Sequence, residues 1–246
     1  MTQSGPDLGE QALSKVAEVG ITSQLDEVEE IDVDIRTNPL KVLQGEVDSV
    51  SIEGKGMVMK QDLRMEAVEI NTGTVSINPL STVFGKIELT QPADAEARII
   101  LTEDDLNRAL QSDYLRSKMG SLELQVNGEN TPIDIQNAQI HLPGDEQMQL
   151  QADIVLLTTG EHKQLKVKAK PSLTDQGQRI VLEDISFEGH QMSSDLSTAL
   201  FERVLELLDL RNFDIQGMSM RLEKLKAYPG ELRLQAAAQI EKFPSA

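Results

Sequence analysis

Apolar and polar positions alternate with period two along most of the chain, which is the pattern of strands with one dry face and one wet face. Ile31, Val33 and Ile35 are interleaved with Asp32, Asp34 and Arg36, and Asn38-Pro39 then ends the run. Proline lacks the N–H that a ladder needs and suits the first turn of a helix, so Leu40 to Gln44 form one short apolar turn before Gly45 releases the next strand. The unit returns: Asn78-Pro79-Leu80, followed by Gly85 and Ile87, repeats Asn38-Pro39-Leu40, followed by Gly45 and Val47. Two copies are too few for a solenoid, so the expectation is a local duplication (31–52 and 73–90) inside a single domain over 8–246, with 1–7 a disordered end.

Further strands follow the same rule. Met57 to Ile70 reads as a long bent strand or a strand pair, with Gly54-Lys55-Gly56 as a bend. Leu122, Leu124 and Val126 alternate, as do Met148, Leu150, Ala152, Ile154 and Leu156, and then Leu165, Val167 and Ala169 against Lys166, Lys168 and Lys170. Turns are placed at Asn127-Gly128, Pro143-Gly144, Thr159-Gly160, Asp175-Gln176-Gly177 and Pro229-Gly230. The phase slips near Asn137, Asp184 and Gly217, which predicts β-bulges and a strongly twisted sheet. Leu232, Leu234, Ala236, Ala238 and Ile240 close the chain as a clean strand.

Three segments have helical spacing instead. Leu13, Val16, Ala17, Ile21, Leu25 and Val28 predict an amphipathic helix over 8–28, resting on the sheet or on a lipid surface. Thr102 caps a second helix whose first turn carries Glu103, Asp104 and Asp105, with Leu106, Ala109, Leu110 and Tyr114 on one face and Gly120 at its end. After Ser193-Ser194-Asp195 a third helix carries Leu196, Leu200, Val204, Leu207 and Leu208, flanked by Phe201 and Leu205, and this wide apolar arc predicts burial. The fold class expected is α+β, a long, strongly twisted antiparallel sheet curled around two or three amphipathic helices.

Composition narrows the function. The net charge of −18 argues against nucleic acid, whose binding needs a basic patch. No cysteine is present, which removes disulfides, thiolate metal sites and cysteine nucleophiles. Tryptophan is absent and aromatics make up 3%, so the interior is aliphatic and lacks rings for stacking sugars, bases or flavins. The first ten residues, M-T-Q-S-G-P-D-L-G-E, show no secretory pattern and no stretch approaches the ~20 apolar residues of a membrane span, so a cytoplasmic protein, at most peripheral to a membrane, is expected. His141, His162 and His190 fall on separate elements, and no metal, cofactor or catalytic constellation is expected.

Two blocks resemble a known family. E-E-I-D-V-D-I-R-T-N-P-L-K-V-L-Q-G-E-V-D-S-V-S-I-E-G-K-G-M at 29–57 and R-I-I-L-T-E-D-D-L-N-R-A-L at 98–110 are similar to the LmeA-like phospholipid-binding family of cyanobacteria and actinobacteria. The resemblance implies a curled sheet around helices, like the tubular lipid-binding fold, with acyl chains in a groove and neither catalysis nor metal.

An acyl groove needs aliphatic walls, since each buried methylene contributes about 0.8 kcal/mol. Leu196, Leu200, Val204 and Leu208, with Leu106, Leu110, Met57, Met218 and Met220, can supply them, or can equally be ordinary core. Lys163, Lys166, Lys168 and Lys170 form the basic run, suited to a phosphate headgroup or a bilayer surface, or to protecting a strand edge. The partner expected is a phospholipid or other acyl lipid, with transient membrane contact and the oligomeric state open. The alternative is a protein-interaction scaffold using the same apolar surface without lipid.

Overall fold

A computed structural model describes residues 8–59, 62–78, 88–119, 122–126, 128–188, 195–197, 199–200 and 218–241. The side chains of Leu8, Pro39, Lys118, Met119, Asp175 and Met218 are outside the description. Helices are α1 (Leu8–Thr22), α2 (Pro39–Leu43), α3 (Glu103–Gln111) and α4 (Asp113–Met119). Strands are β1 (Glu30–Arg36), β2 (Glu46–Val47), β3 (Ser49–Met59), β4 (Leu63–Thr72), β5 (Val75–Ser76), β6 (Ala93–Thr102), β7 (Leu122–Val126), β8 (Glu129–Gly144), β9 (Gln147–Leu156), β10 (His162–Thr174), β11 (Arg179–Phe187), β12 (Met218–Tyr228) and β13 (Glu231–Ile240).

They form a six-stranded sheet in the order β1-β3-β4-β6-β13-β12, a five-stranded sheet in the order β11-β10-β9-β8-β7, and a small pair β2-β5, with every ladder antiparallel. The chain is mostly antiparallel sheet, curled, with few helices. Register carries the period-two pattern across strands, because residues directly opposite one another share a face. Val33, Ile52, Ile70, Ala97, Ala236 and Leu222 make one apolar row across six strands. Asp32, Glu53, Glu69, Arg98 and Gln235 make the polar row next to it on the other face.

Two of the sequence slips are bulges. Asn137 has φ +49° where the β8–β9 register shifts between Gln136 and Gln139. Asp184 has φ +50° where the β10–β11 register shifts. The third expected slip, at Gly217, lies outside the described residues, and β12 instead bulges between Leu222 and Lys224. Gly54-Lys55-Gly56 does not interrupt β3, which continues through it. At Gly54 a Cβ would sit 2.1 Å from the Met57 sulfur, so glycine is what lets this methionine fold back over its own strand.

The first helix is shorter than its apolar spacing predicts, ending at Thr22. Leu13, Ala17 and Ile21 pack on the β1 end of the six-stranded sheet with Val33, Ile35 and Val47, so α1 rests on protein. The expected helix after Thr102 is two helices. Ser112 adopts extended backbone (ψ 146°), its Oγ donates to the Ala109 carbonyl, and the same Oγ accepts the Leu115 N–H, ending α3 and starting α4. Gly120 lies outside the described residues.

The sheets meet at β12. Gly230 N–H donates to the Leu142 carbonyl at 2.8 Å, and Glu103 N–H donates to the Gly230 carbonyl at 2.9 Å, so the β12–β13 turn is held between β8 and the start of α3. Leu122, Leu124, Ile133, Ile154, Leu165 and Val167 form the core of the five-stranded sheet, covered by Leu196, Ala199 and Leu200 from helical residues 195–197 and 199–200. Among the described residues no helix is long and apolar enough to cross a membrane.

Candidate functional site

Helix α3 is placed by three independent contacts. Thr102 and Asp105 form a capping box, with Asp105 N–H donating to Thr102 Oγ1 at 3.1 Å and Thr102 N–H donating to Asp105 Oδ2 at 2.8 Å. The second oxygen of Asp105 accepts Arg64 Nη1 at 2.6 Å, tying the helix to β4. Asn107 then uses its amide as a strand would: Nδ2 donates to the Ile140 carbonyl and Oδ1 accepts the Ile140 N–H, both at 2.8 Å. Thus α3 lies along the part of β8 that extends past its ladder with β7.

This docking encloses a cleft of about 500 Å³. Glu103, Asp104 and Asn107 of α3 form one wall, His141 of β8 and Gln149 and Gln151 of β9 continue it, and Lys166, Lys168 and Glu188 close the far side. Register explains the arrangement, since Gln139, Gln151 and Lys166 are opposite one another, as are His141, Gln149 and Lys168. Leu150 and Val167 also border the cleft, but strand alternation turns their side chains to the opposite face, into the apolar cluster of the five-stranded sheet. Lys168 is paired with Glu188, whose carboxyl this hydrogen bond holds below its ordinary value.

Glu103 is the hub of the other wall. It accepts the Leu142 N–H at 2.8 Å and His141 Nδ1 at 2.7 Å. Burial pushes its carboxyl up, but these two donors outweigh burial and leave it below 4.5. A depressed carboxylate stabilises the fold above its unfolded value and loses that contribution as pH falls through the folded one. The attachment of α3 to β8 is therefore full above pH 4.5 and weakens below it. The protection factor of the Leu142 amide, its exchange corrected for the intrinsic slowing in acid, should fall in that acid window, and Glu103→Gln should flatten this pH dependence. An acid response of the same size in Glu103→Gln would contradict this.

The sequence-derived candidates distribute over several places. Lys166 and Lys168 line the cleft; Lys163 pairs with Glu161 at 2.9 Å and Lys170 pairs with Glu146. The edge-protection reading of these lysines fails at Lys168, because β10 is paired with both β9 and β11 there. Leu196 and Leu200 are buried in the five-stranded core, and Met57 is buried on β3. Leu106 and Leu110 are half-buried on α3, and Met220 is half-buried on β12. Val204, Leu208 and the Met218 side chain lie outside the described residues, as does His190.

Sequence reasoning missed the cleft's polar residues. Asn107, Gln139, Gln149 and Gln151 read as wet strand and helix positions, and the expected slot was aliphatic. The signal available was the density of glutamine on one face of β9. Ile70, Ile99, Leu234 and Leu225 lie on the dry face within the six-stranded sheet and stay half-buried. Among the described residues no group of three or more acidic or histidine side chains is placed to hold a metal.

No curated protein sequence matches the chain significantly. Residues 6–237 match the family model for LmeA-like phospholipid-binding proteins. With a match this long over a curled antiparallel sheet, the chain belongs to the LmeA-like phospholipid-binding family.

Proposed function

We infer that the protein binds a phospholipid without catalysing a reaction on it, holding the headgroup at the α3–β8–β10 cleft and the acyl chains against the aliphatic faces of the sheets. The observation that carries this reading is the cleft itself: it gathers cations, acids and amides on the polar face of a sheet whose opposite face, with Leu150 and Val167, is an apolar core. Lys166, exposed above Gln151, is the phosphate contact, and Asp104 and Glu103 opposite it suit a head group that also carries a positive charge. The half-buried Ile70, Ile99, Leu225 and Leu234 offer further aliphatic surface. Contact with a membrane is transient in this reading, and the two Asn-Pro-Leu units are read as a duplication within one lipid-binding domain.

The test is uptake by the full chain. Delipidated protein is incubated with phosphatidylethanolamine vesicles, separated from them, and weighed by native mass spectrometry. A bound phospholipid is expected, and Lys166→Glu should weaken uptake about tenfold by removing one charge-assisted bond, with the thermal midpoint unchanged. Protein that takes up no phospholipid would overturn the proposal.

A further inference from the structure

Helix α2 presents two leucines to solvent, with none of the described residues covering them: Leu40 is 72% exposed and Leu43 is 77% exposed. Three residues apart on one helical turn, they share a face. Val16 and Val19 on α1 make the comparable exposed pair, at 63% and 60%, so Leu40 and Leu43 are the more exposed of the two, and they stand on a braced turn. Asn38 Oδ1 accepts the Lys41 N–H at 2.9 Å, capping the turn. Asp48 N–H donates to the Arg36 carbonyl at 2.9 Å, closing the loop at its base. The β2–β5 pair stands beneath it, and Ile77 N–H donates to the Gly45 carbonyl at 2.7 Å.

We propose that Leu40 and Leu43 form a shallow wedge that inserts into an uncharged phospholipid bilayer and docks the protein there. This rests on the lipid-binding reading for its purpose, because a carrier must meet the bilayer that supplies its lipid. Size selects a bilayer over a protein partner: two leucine side chains fall far short of the ~800 Å² each partner buries in a stable protein interface. A bilayer needs no matching surface and accepts single aliphatic side chains.

Charge selects the kind of bilayer. Lys41, the basic residue within the turn, is held by Asp48 and Glu46, and the hydrogen bond to Asp48 raises its pKa further. Arg36 at the base of the turn is paired with Asp34 at 2.8 Å. With these cations neutralised and a net charge of −18, an anionic surface repels the protein and a zwitterionic one does not. Docking is thus apolar in origin and insensitive to salt.

The experiment uses the full chain and phosphatidylcholine vesicles in a sedimentation assay, beside uptake of a short-chain phosphatidylcholine below its micellar concentration. The double substitution Leu40→Ser with Leu43→Ser should lower vesicle partitioning by roughly tenfold per leucine while leaving short-chain uptake and the thermal midpoint intact. Because the chain has no tryptophan, Leu43→Trp introduces a sole reporter, whose emission should shift to the blue on adding vesicles. Wild-type protein that stays in the supernatant, a double variant that sediments like wild type, or an unshifted tryptophan would each overturn the wedge. Loss of short-chain uptake in the wild type, with sedimentation retained, would instead remove the lipid-binding reading and leave the wedge standing.

Discussion

Gly177→Ala should leave little folded protein at ordinary temperature. Gly177 is buried at φ +84°, and a Cβ built on it would lie 1.7 Å from the Leu222 carbonyl oxygen and 2.8 Å from its carbon. Those are backbone atoms of β12, at the bulge between Leu222 and Lys224, and they cannot swing aside as a side-chain tip can. The 3₁₀ turn at Asp175–Gly177 is one of the contacts by which the five-stranded sheet touches β12. Relieving the overlap therefore means separating that turn from the other sheet, and a loss above ~4 kcal/mol is expected. Gly160→Ala is the control. Its φ is +71°, yet nothing lies within 4 Å of the added Cβ, so only the left-handed backbone costs, about 1 kcal/mol. Urea unfolding of both variants would separate space from backbone, and equal losses would refute the argument.

Arg64→Leu should be the next most damaging change. The Arg64 guanidinium meets Glu29 at 2.8 Å, Asp105 at 2.6 Å and Glu66 at 2.9 Å, and these partners raise its pKa beyond the ordinary arginine value, Glu29 foremost. Glu29 and Glu66 are exposed enough for water to screen them, and such pairs contribute little. Asp105 is different, being 2% exposed. Without Arg64 its carboxylate keeps the Thr102 N–H but has no counter-charge, and stranding a buried charge costs about 3 kcal/mol. For a chain of this length that is roughly 10 °C of thermal midpoint. Adding Asp105→Asn removes the stranded charge while an amide oxygen can still accept the Thr102 N–H, so the double variant should recover part of the loss. A single-variant loss below about 1 kcal/mol, or a double variant that is simply additive, would contradict this.

Much of the fold could be read from local pattern. The alternation at Ile31–Arg36 is β1, the one at Leu165–Lys170 is β10, and the slips at Asn137 and Asp184 are bulges at those residues. Thr102 as a cap followed by three acids is found as the capping box of α3. The break of the next helix at Ser112 was not legible, because serine side chains fit either a helix surface or a cap, and which one holds depends on where the following turn can pack. The candidate site was less legible still. Lys166 and Lys168 stand out in the sequence for their charge, but the residues they face come from α3 and β9.

The sequence by itself determined which side of each strand is dry, where most strands end, and how α3 begins, since these depend on spacing of two or four residues and on the chemistry of single side chains. It also determined the family, through segments that match over residues 6–237. Only the tertiary structure decided which strands are neighbours. A period of two assigns a face but no partner, so β10 could be an edge by its lysines and yet lie inside a sheet. Arg64 with Asp105, Asn107 with Ile140 and His141 with Glu103 likewise meet only when distant segments close on one another. Their pairing is set by how two sheets and one helix share a boundary, and no local period encodes that.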